Sequence, residues 1–166
     1  MRKLKQFFTT YNVILILFVY LISISYLLTI STHNNFMLYL MGLFFLIFSF
    51  FKVIHLFKFK KSFARYDPFA KIFPIYGYIY PFIEIVLGAL FIIGLYLEII
   101  SLITIVVLSS TTFGVLNQLR KGEIIECACL GVVFNLPLSK VTVFENVIMI
   151  LMALWHIVPS MFIFIF

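Results

Sequence analysis

The most specific chemical signal in the chain is a pair of neighbouring thiols. Cys127 and Cys129 are the only cysteines among 166 residues, and only Ala128 separates them. Thiol–disulfide exchange proceeds by thiolate attack through a mixed disulfide, which two adjacent thiols can carry out with a partner. A disulfide between residues so close closes a small, strained ring, and strained disulfides are the labile ones. The spacing therefore predicts a redox pair, and either cysteine could be the attacking one.

Two chemistries compete for this pair. The chain holds no second cysteine pair with which electrons could be relayed internally, so a redox role requires an external partner with its own pair. The alternative is capture of a soft metal, because adjacent thiolates suit Cu(I). Zinc prefers four ligands, and no complete ligand set stands near Cys127. The redox interpretation needs no resident cofactor, whereas the alternative predicts a membrane protein that transports or handles copper or mercury.

A second candidate site is formed by polar residues inside apolar segments. A carboxylate within a bilayer costs about 3 kcal/mol or more and is normally paired or turned toward the bundle interior. Glu84 lies within such a segment, Lys52 lies at a comparable depth in another, and His55 follows Lys52 by about one helical turn. We predict that Glu84 faces the interior and that Lys52 or His55 is its partner. Two roles stay open: an ion pair that locks two helices, and proton handling or ligand binding.

The composition indicates the kind of element that must position these residues. Hydrophobic residues make up 64% of the chain, aromatic residues 19% and charged residues only 11%. A soluble domain has about a quarter charged residues, which it needs to cover its surface. The sequence therefore excludes a soluble globular enzyme. It also excludes a disordered chain, because disordered chains are poor in aromatic and β-branched residues.

Five apolar windows are long enough to cross a membrane as helices, which requires about 20 residues each. They span about 12–30, 36–55, 78–97, 99–117 and 143–164. The third and fourth windows are nearly continuous, and as one helix they would be about twice as long as the hydrocarbon layer is thick. We therefore expect a tight hairpin between Gly94 and Glu98. The predicted fold is all-α, a single integral membrane domain over 1–166 with five transmembrane helices.

The basic residues predict the orientation of these helices. If the five windows cross the membrane, all twelve basic residues fall on one side of it: Arg2, Lys3, Lys5, Lys52, Lys58, Lys60, Lys61, Arg65, Lys71, Arg120, Lys121 and Lys140. Because cytoplasmic loops carry the excess of Lys and Arg, we expect the N-terminus in the cytoplasm and the C-terminus outside. The predicted location is the inner membrane of a bacterium, with the cysteine loop, 118–142, on the cytoplasmic side. The first window loosely resembles a cleavable signal peptide, but its apolar run continues past the Ser23–Ser25 segment, which favours a retained helix.

The connection 57–75 alternates aromatic and basic residues. This pattern is typical of a short helix that lies in the membrane interface against anionic headgroups. The lipid bilayer is thus the expected partner of this segment, and nucleic acid is not.

Three stretches resemble a known family. These are Cys-Ala-Cys-Leu-Gly at 127–131, Leu-Ser-Lys-Val-Thr at 138–142, and Pro-Phe-Ile-Glu-Ile-Val-Leu-Gly at 81–88. Together they are similar to the MauE branch of the MauE/DoxX group of redox-associated membrane proteins, and the likeness extends over about 36–154. The chain departs from the family pattern in its additional first helix, in Leu130 where Phe is commoner, and in Glu145 where a basic residue is expected.

The resemblance implies a four-helix bundle, here with one further N-terminal helix. It also implies an accessory role in maturation of methylamine dehydrogenase, with disulfide exchange between Cys127/Cys129 and a thioredoxin-like partner. Such a protein is an accessory redox protein rather than a stand-alone enzyme, and a non-catalytic assembly factor is the further alternative. One tension follows: the charge pattern places the pair in the cytoplasm, whereas maturation of a periplasmic enzyme requires it outside.

Overall fold

The computed structural model describes residues 2–32, 35–121 and 139–165, and these ranges contain helices but no strand. The helices are α1 (Arg2–Thr32), α2 (Phe36–Ile54), α3 (Leu56–Tyr66), α4 (Pro68–Ile72), α5 (Tyr76–Ile93), α6 (Leu97–Arg120) and α7 (Ser139–Ile165). The all-α prediction is confirmed.

Four of these helices are long and apolar enough to cross a membrane. The qualifying stretches are Leu15–Thr32, Phe36–Ile54, Tyr76–Ile93 and Leu97–Arg120. Within α7, the apolar stretch Thr142–Val158 is shorter. The chain is therefore a multi-pass membrane protein, and a fifth crossing by α7 stays a prediction.

The hairpin between α5 and α6 lies where the sequence predicts it. Gly94 ends α5 in the left-handed conformation (φ 75°), and its N–H donates to the carbonyl groups of Leu90 and Phe91. Tyr96 is also left-handed (φ 51°) and directly precedes α6. Glycine takes this conformation without steric cost, so it ends a helix readily. As a result α5 ends four residues earlier than the predicted boundary at residue 97.

Helices α2 and α5 approach each other closely at two glycines. A Cβ added at Gly42 would lie 2.8 Å from the carbonyl oxygen of Gly88, and one added at Gly88 would lie 2.9 Å from the carbonyl oxygen of Gly42. Small residues at a helix crossing let two backbones come this near in a membrane. Helix α1 contacts α2 from outside, where the rings of Phe18 and Phe44 lie 6.1 Å apart.

Helices α6 and α7 pack against each other in antiparallel fashion. Asn146 Nδ2, in the first half of α7, donates to Thr112 Oγ1 in the second half of α6 at 3.1 Å. Earlier still in α7, Val143 packs against the cluster that contains Val115. The last turn of α6 and the first turns of α7 therefore lie at one end of the bundle.

Helix α3 closes that same end. Gln118 near the end of α6 donates from Nε2 to the carbonyl oxygen of Arg65 at 2.9 Å. Gly114 allows a close approach as well, because a Cβ at that position would overlap the carbonyl group of Tyr66. We call this end, where α2 and α6 finish and α5 and α7 begin, the α3 end of the bundle.

The aromatic residues of the 57–75 segment divide between two environments. Phe59, Phe63 and Tyr66 are buried in a cluster with Tyr80 of α5, whereas Phe57 is 80% exposed. That the segment lies in the membrane interface stays a prediction. Three of its rings are buried because α3 is amphipathic and turns its aromatic side toward the bundle.

Candidate functional site

The centre of the candidate site is an ion pair between α2 and α5. Lys52 Nζ lies 2.5 Å from both carboxylate oxygens of Glu84. Both residues are buried, with 5% and 3% of their surface exposed. Buried charges are tolerated when they are paired and hydrogen-bonded, and here the Lys52 ammonium is paired with the Glu84 carboxylate.

Further groups from three helices complete the surroundings of the pair. Ser49 Oγ, one turn before Lys52 on α2, donates to Glu84 Oε2 at 2.9 Å. The Lys52 ammonium also lies 5.0 Å from the ring centroid of Tyr80 and 5.6 Å from that of Phe59. Aromatic faces attract a cation, and more strongly where water is excluded. The lysine is thus held by a carboxylate and by two rings.

A small cavity of about 20 Å³ adjoins the ion pair. Its polar lining comes from five helices and includes, besides Lys52 and Glu84, the residues Tyr66, Tyr80, Thr111, Thr142, Glu145 and Asn146. A cavity of this size holds about one water molecule, and water occupies such a place when polar partners surround it. The site therefore joins one cation and two carboxylates around a space for a single small ligand.

Two hydrogen bonds fix the α6 side of this cavity. Tyr80 Oη and Thr111 Oγ1 lie 3.2 Å apart, and Asn146 Nδ2 donates to Thr112. Thr112 itself donates to the carbonyl oxygen of Leu108 at 2.6 Å, as hydroxyl groups in helices often do. This arrangement holds the helices in register and leaves space for about one water molecule in a cavity that Glu84 and Glu145 both line.

The structure does not bring His55 to Glu84. His55 follows the last residue of α2 with φ −115° and ψ 38°, outside the helical conformation. Its Nδ1 atom is buried and has no hydrogen-bond partner in the part of the chain that the structure describes. Of the two partners predicted from the sequence, Lys52 is the one that pairs with Glu84.

The thiol pair, Cys127 and Cys129, lies outside the described residues, as does His33. Along the chain the pair belongs to the connection between α6 and α7, which meets both helices at the α3 end. The ion pair lies in the same half of the bundle, because Lys52 is near the end of α2 and Glu84 is in the first half of α5. Within the described ranges no three His, Cys, Asp or Glu residues are grouped as metal ligands would be.

A further buried carboxyl group, Asp67, serves the turn between α3 and α4. Its Oδ1 accepts from the N–H groups of Phe69 at 2.9 Å and Ala70 at 3.0 Å, and Ser110 Oγ donates to Oδ2 at 3.3 Å. Burial raises the pKa of the Asp67 carboxyl above its usual 3.8, which the bonds from Ala70 and Phe69 offset in part. Asp67 caps α4 and ties it to α6, so we assign it a structural role.

Several site residues were missed by sequence reasoning. Ser49 and Tyr80 carried a usable signal, because they stand three and four residues before Lys52 and Glu84, on the same helix faces. Glu145 was noted only as a departure from a family pattern. No local signal could have placed it beside Glu84, because the two residues are far apart along the chain.

Comparison with known proteins gives one match. The family model described as methylamine utilisation protein MauE matches residues 24–159. That range includes α2 to α6, the ion pair, both cysteines and most of α7. No curated protein and no solved structure shows significant similarity to the chain.

Proposed function

Since the chain belongs to the MauE family, we propose that it is a membrane accessory protein in methylamine utilisation or a similar maturation process. Within that role, Cys127 and Cys129 exchange a disulfide with a thioredoxin-like partner. The observation that carries this proposal is the position of the only two cysteines, inside the family match and in the connection between two packed helices.

The exchange balances without a further reactant. A thiolate of the partner attacks one sulfur of the Cys127–Cys129 disulfide, forms a mixed disulfide and releases the other cysteine as a thiolate. The partner's second thiolate then attacks the mixed disulfide, so that the partner leaves oxidised and the pair remains as two thiols. Two electrons have moved from the partner to the pair, and the reverse direction uses the same steps.

The bundle supports this role as a fixed platform. Helices α6 and α7, which flank the cysteine connection in sequence, are held together by the Asn146–Thr112 hydrogen bond. The Lys52–Glu84 pair holds α2 to α5 in the same half of the bundle. A reactive segment whose two ends are anchored in this way reaches its partner at a lower cost in conformational entropy.

Thiol trapping in membranes tests the proposal. The variants Cys127→Ser and Cys129→Ser are expressed separately, and free thiols are blocked with acid and an alkylating agent. We expect one of them to accumulate a mixed disulfide that a reductant releases, with a protein that itself carries a cysteine pair. Ala128→Ser is the matched control, because it alters the same segment and keeps both thiols.

Two other outcomes would overturn thiol exchange. If neither variant traps an adduct and both change the sensitivity of cells to copper or mercury, the pair handles a soft metal. If neither variant traps an adduct or changes metal sensitivity, while deletion of the protein still prevents maturation of its client, the protein is a non-catalytic assembly factor.

A further inference from the structure

A cleft on the outer surface of α3 has a basic and aromatic lining. It measures about 520 Å³ and lies between α3 and the first turn of α5. Three lysines and three apolar or aromatic residues line it: Phe57, Lys58, Lys60, Lys61, Ala64 and Tyr78. The lining contains no acidic residue, so its charge of +3 is uncompensated within the cleft. None of these residues takes part in the Lys52–Glu84 site.

Contacts within the protein hold Lys60, Tyr78 and Phe57 together on one wall of the cleft. Lys60 Nζ lies 4.1 Å from the ring centroid of Tyr78, in the geometry of a cation–π contact. Phe57 meets the same ring edge-on, with centroids 6.0 Å apart. Gly77 makes this arrangement fit, because a Cβ there would lie 3.1 Å from Lys60 Cγ. The lysine is therefore fixed across the beginning of α5 before any ligand binds.

The other two lysines are accessible to an anion from solvent. Lys58 and Lys61 are exposed, and both stand on the same short helix as Lys60. Only Asp67 among the acidic residues lies in the connection that contains α3 and α4, and it is fully buried and occupied as a helix cap. Nothing in the cleft's lining competes with an anionic ligand for the three ammonium groups.

The position of the cleft matches the boundary between hydrocarbon and headgroups. Tyr78 is the third residue of α5, the helix whose span is Tyr76–Ile93. One turn further into that span Phe82 is 50% exposed, and Phe57 at the rim is 80% exposed. An ammonium cluster beside exposed apolar side chains suits a molecule with an anionic head and apolar chains.

We propose that this cleft binds the phosphate group of an anionic phospholipid, with its acyl chains along Phe57 and Phe82. Lys58, Lys60 and Lys61 hold the phosphate, and the rings of Phe57 and Tyr78 cover the glycerol and the upper part of the chains. A free phosphate ion would use the three lysines but would gain nothing from the apolar half of the lining.

Lipid retention by the purified full-length protein tests the site. The protein in neutral detergent is titrated with phosphatidylglycerol or with phosphatidylcholine, and bound lipid is counted by native mass spectrometry. A lysine near anionic lipid is worth about 1 kcal/mol, or about a fivefold change in affinity. We therefore expect Lys58→Gln combined with Lys61→Gln to weaken phosphatidylglycerol binding about 25-fold, and phosphatidylcholine to bind weakly to both proteins.

The matched control removes the same charge elsewhere at the α3 end. Lys71→Gln combined with Arg120→Gln changes two exposed cations outside the cleft and should leave binding within about twofold of the original protein. An equal loss in both double variants would show a diffuse charge effect and overturn the site. Equal retention of the two lipids would also overturn it. Complete displacement of phosphatidylglycerol by millimolar inorganic phosphate would indicate an anion site rather than a lipid site.

Discussion

Lys52 and Glu84 join two helices that cross closely, with the ammonium nitrogen 2.5 Å from both carboxylate oxygens. The crossing itself is made by Gly42 and Gly88, whose backbones approach each other because neither residue has a side chain. The ion pair and the glycine contact lie along the same α2–α5 interface. The chain thus uses one interface both to bring the helices together and to bury its central charges.

Removal of the Glu84 charge should destabilise the protein. Glu84→Gln removes the carboxylate that pairs with the buried Lys52, and loss of one partner of a buried pair costs about 3–5 kcal/mol. The measurement is thermal unfolding in detergent, with Glu98→Gln, an exposed carboxyl in the first turn of α6, as the control. The double change Lys52→Met and Glu84→Leu should recover much of the loss. Unaltered stability and function in Glu84→Gln would end any role for this charge.

A larger residue at the glycine contact between α2 and α5 should destabilise the protein. In Gly88→Ala the new Cβ would lie 2.9 Å from the Gly42 carbonyl oxygen and 3.0 Å from Phe45 Cβ, so the helices must separate. Overpacking of this kind costs about 1–3 kcal/mol. The melting temperature of Gly88→Ala should fall, whereas Ser109→Ala, at an exposed position of α6, should behave as the original protein. Equal melting temperatures for Gly88→Ala and the original protein would contradict the close crossing.

The buried carboxyl of Asp67 should give stability a dependence on pH. Because its pKa is raised in the folded state, that state holds more protons than the unfolded chain between pH 3.8 and the raised value. The contribution of Asp67 to stability is therefore largest at low pH and declines as the pH rises through this window. Asp67→Asn keeps a good helix cap without the titrating group.

Thermal unfolding of Asp67→Asn and of the original protein, compared over a series of pH values, isolates this contribution. The stability of the Asn variant relative to the original should increase with pH. A relative stability that is constant or decreases with pH would contradict the burial effect. As a second comparison, Asp67→Ala removes the cap and should cost about 0.5–2 kcal/mol.

The orientation of the bundle can be read from thiol labelling. Exposed cations gather at the α3 end, among them Lys58, Lys71 and Arg120, and such an end is expected in the cytoplasm. In Cys129→Ser, the remaining Cys127 should therefore resist a membrane-impermeant maleimide in bacterial spheroplasts and react once the membrane is opened.

The matched reference places a thiol in the opposite hairpin. A protein with Cys127→Ser, Cys129→Ser and Glu98→Cys should react in intact spheroplasts. If Cys127 reacts in intact spheroplasts and the thiol at position 98 does not, the bundle has the reverse orientation. That result would agree with a thiol pair that serves a periplasmic client.

Much of the architecture was predictable because it depends on local rules. The turn at Gly94 follows from a glycine within an apolar run too long for one crossing, and the break at Asp67–Pro68 follows from a capping residue and a proline. That Glu84 needs a partner also follows locally, because a carboxylate among apolar residues cannot stay unpaired. The choice of Lys52 over His55 does not follow from local rules, since it depends on α2 ending at Ile54 and on the non-helical backbone of His55.

By itself, the sequence determined that this chain forms apolar membrane helices and that a charged residue inside one of them needs a partner. It also determined that the only two thiols are neighbours along the chain. The tertiary structure decided which groups meet. It placed Ser49 and Tyr80 around the ion pair, turned Phe59 and Phe63 inward, and set Glu145 on a cavity shared with Glu84. Periodicity gives each helix its apolar and polar faces, but a meeting between distant segments depends on how those helices pack, and that is a property of the whole fold.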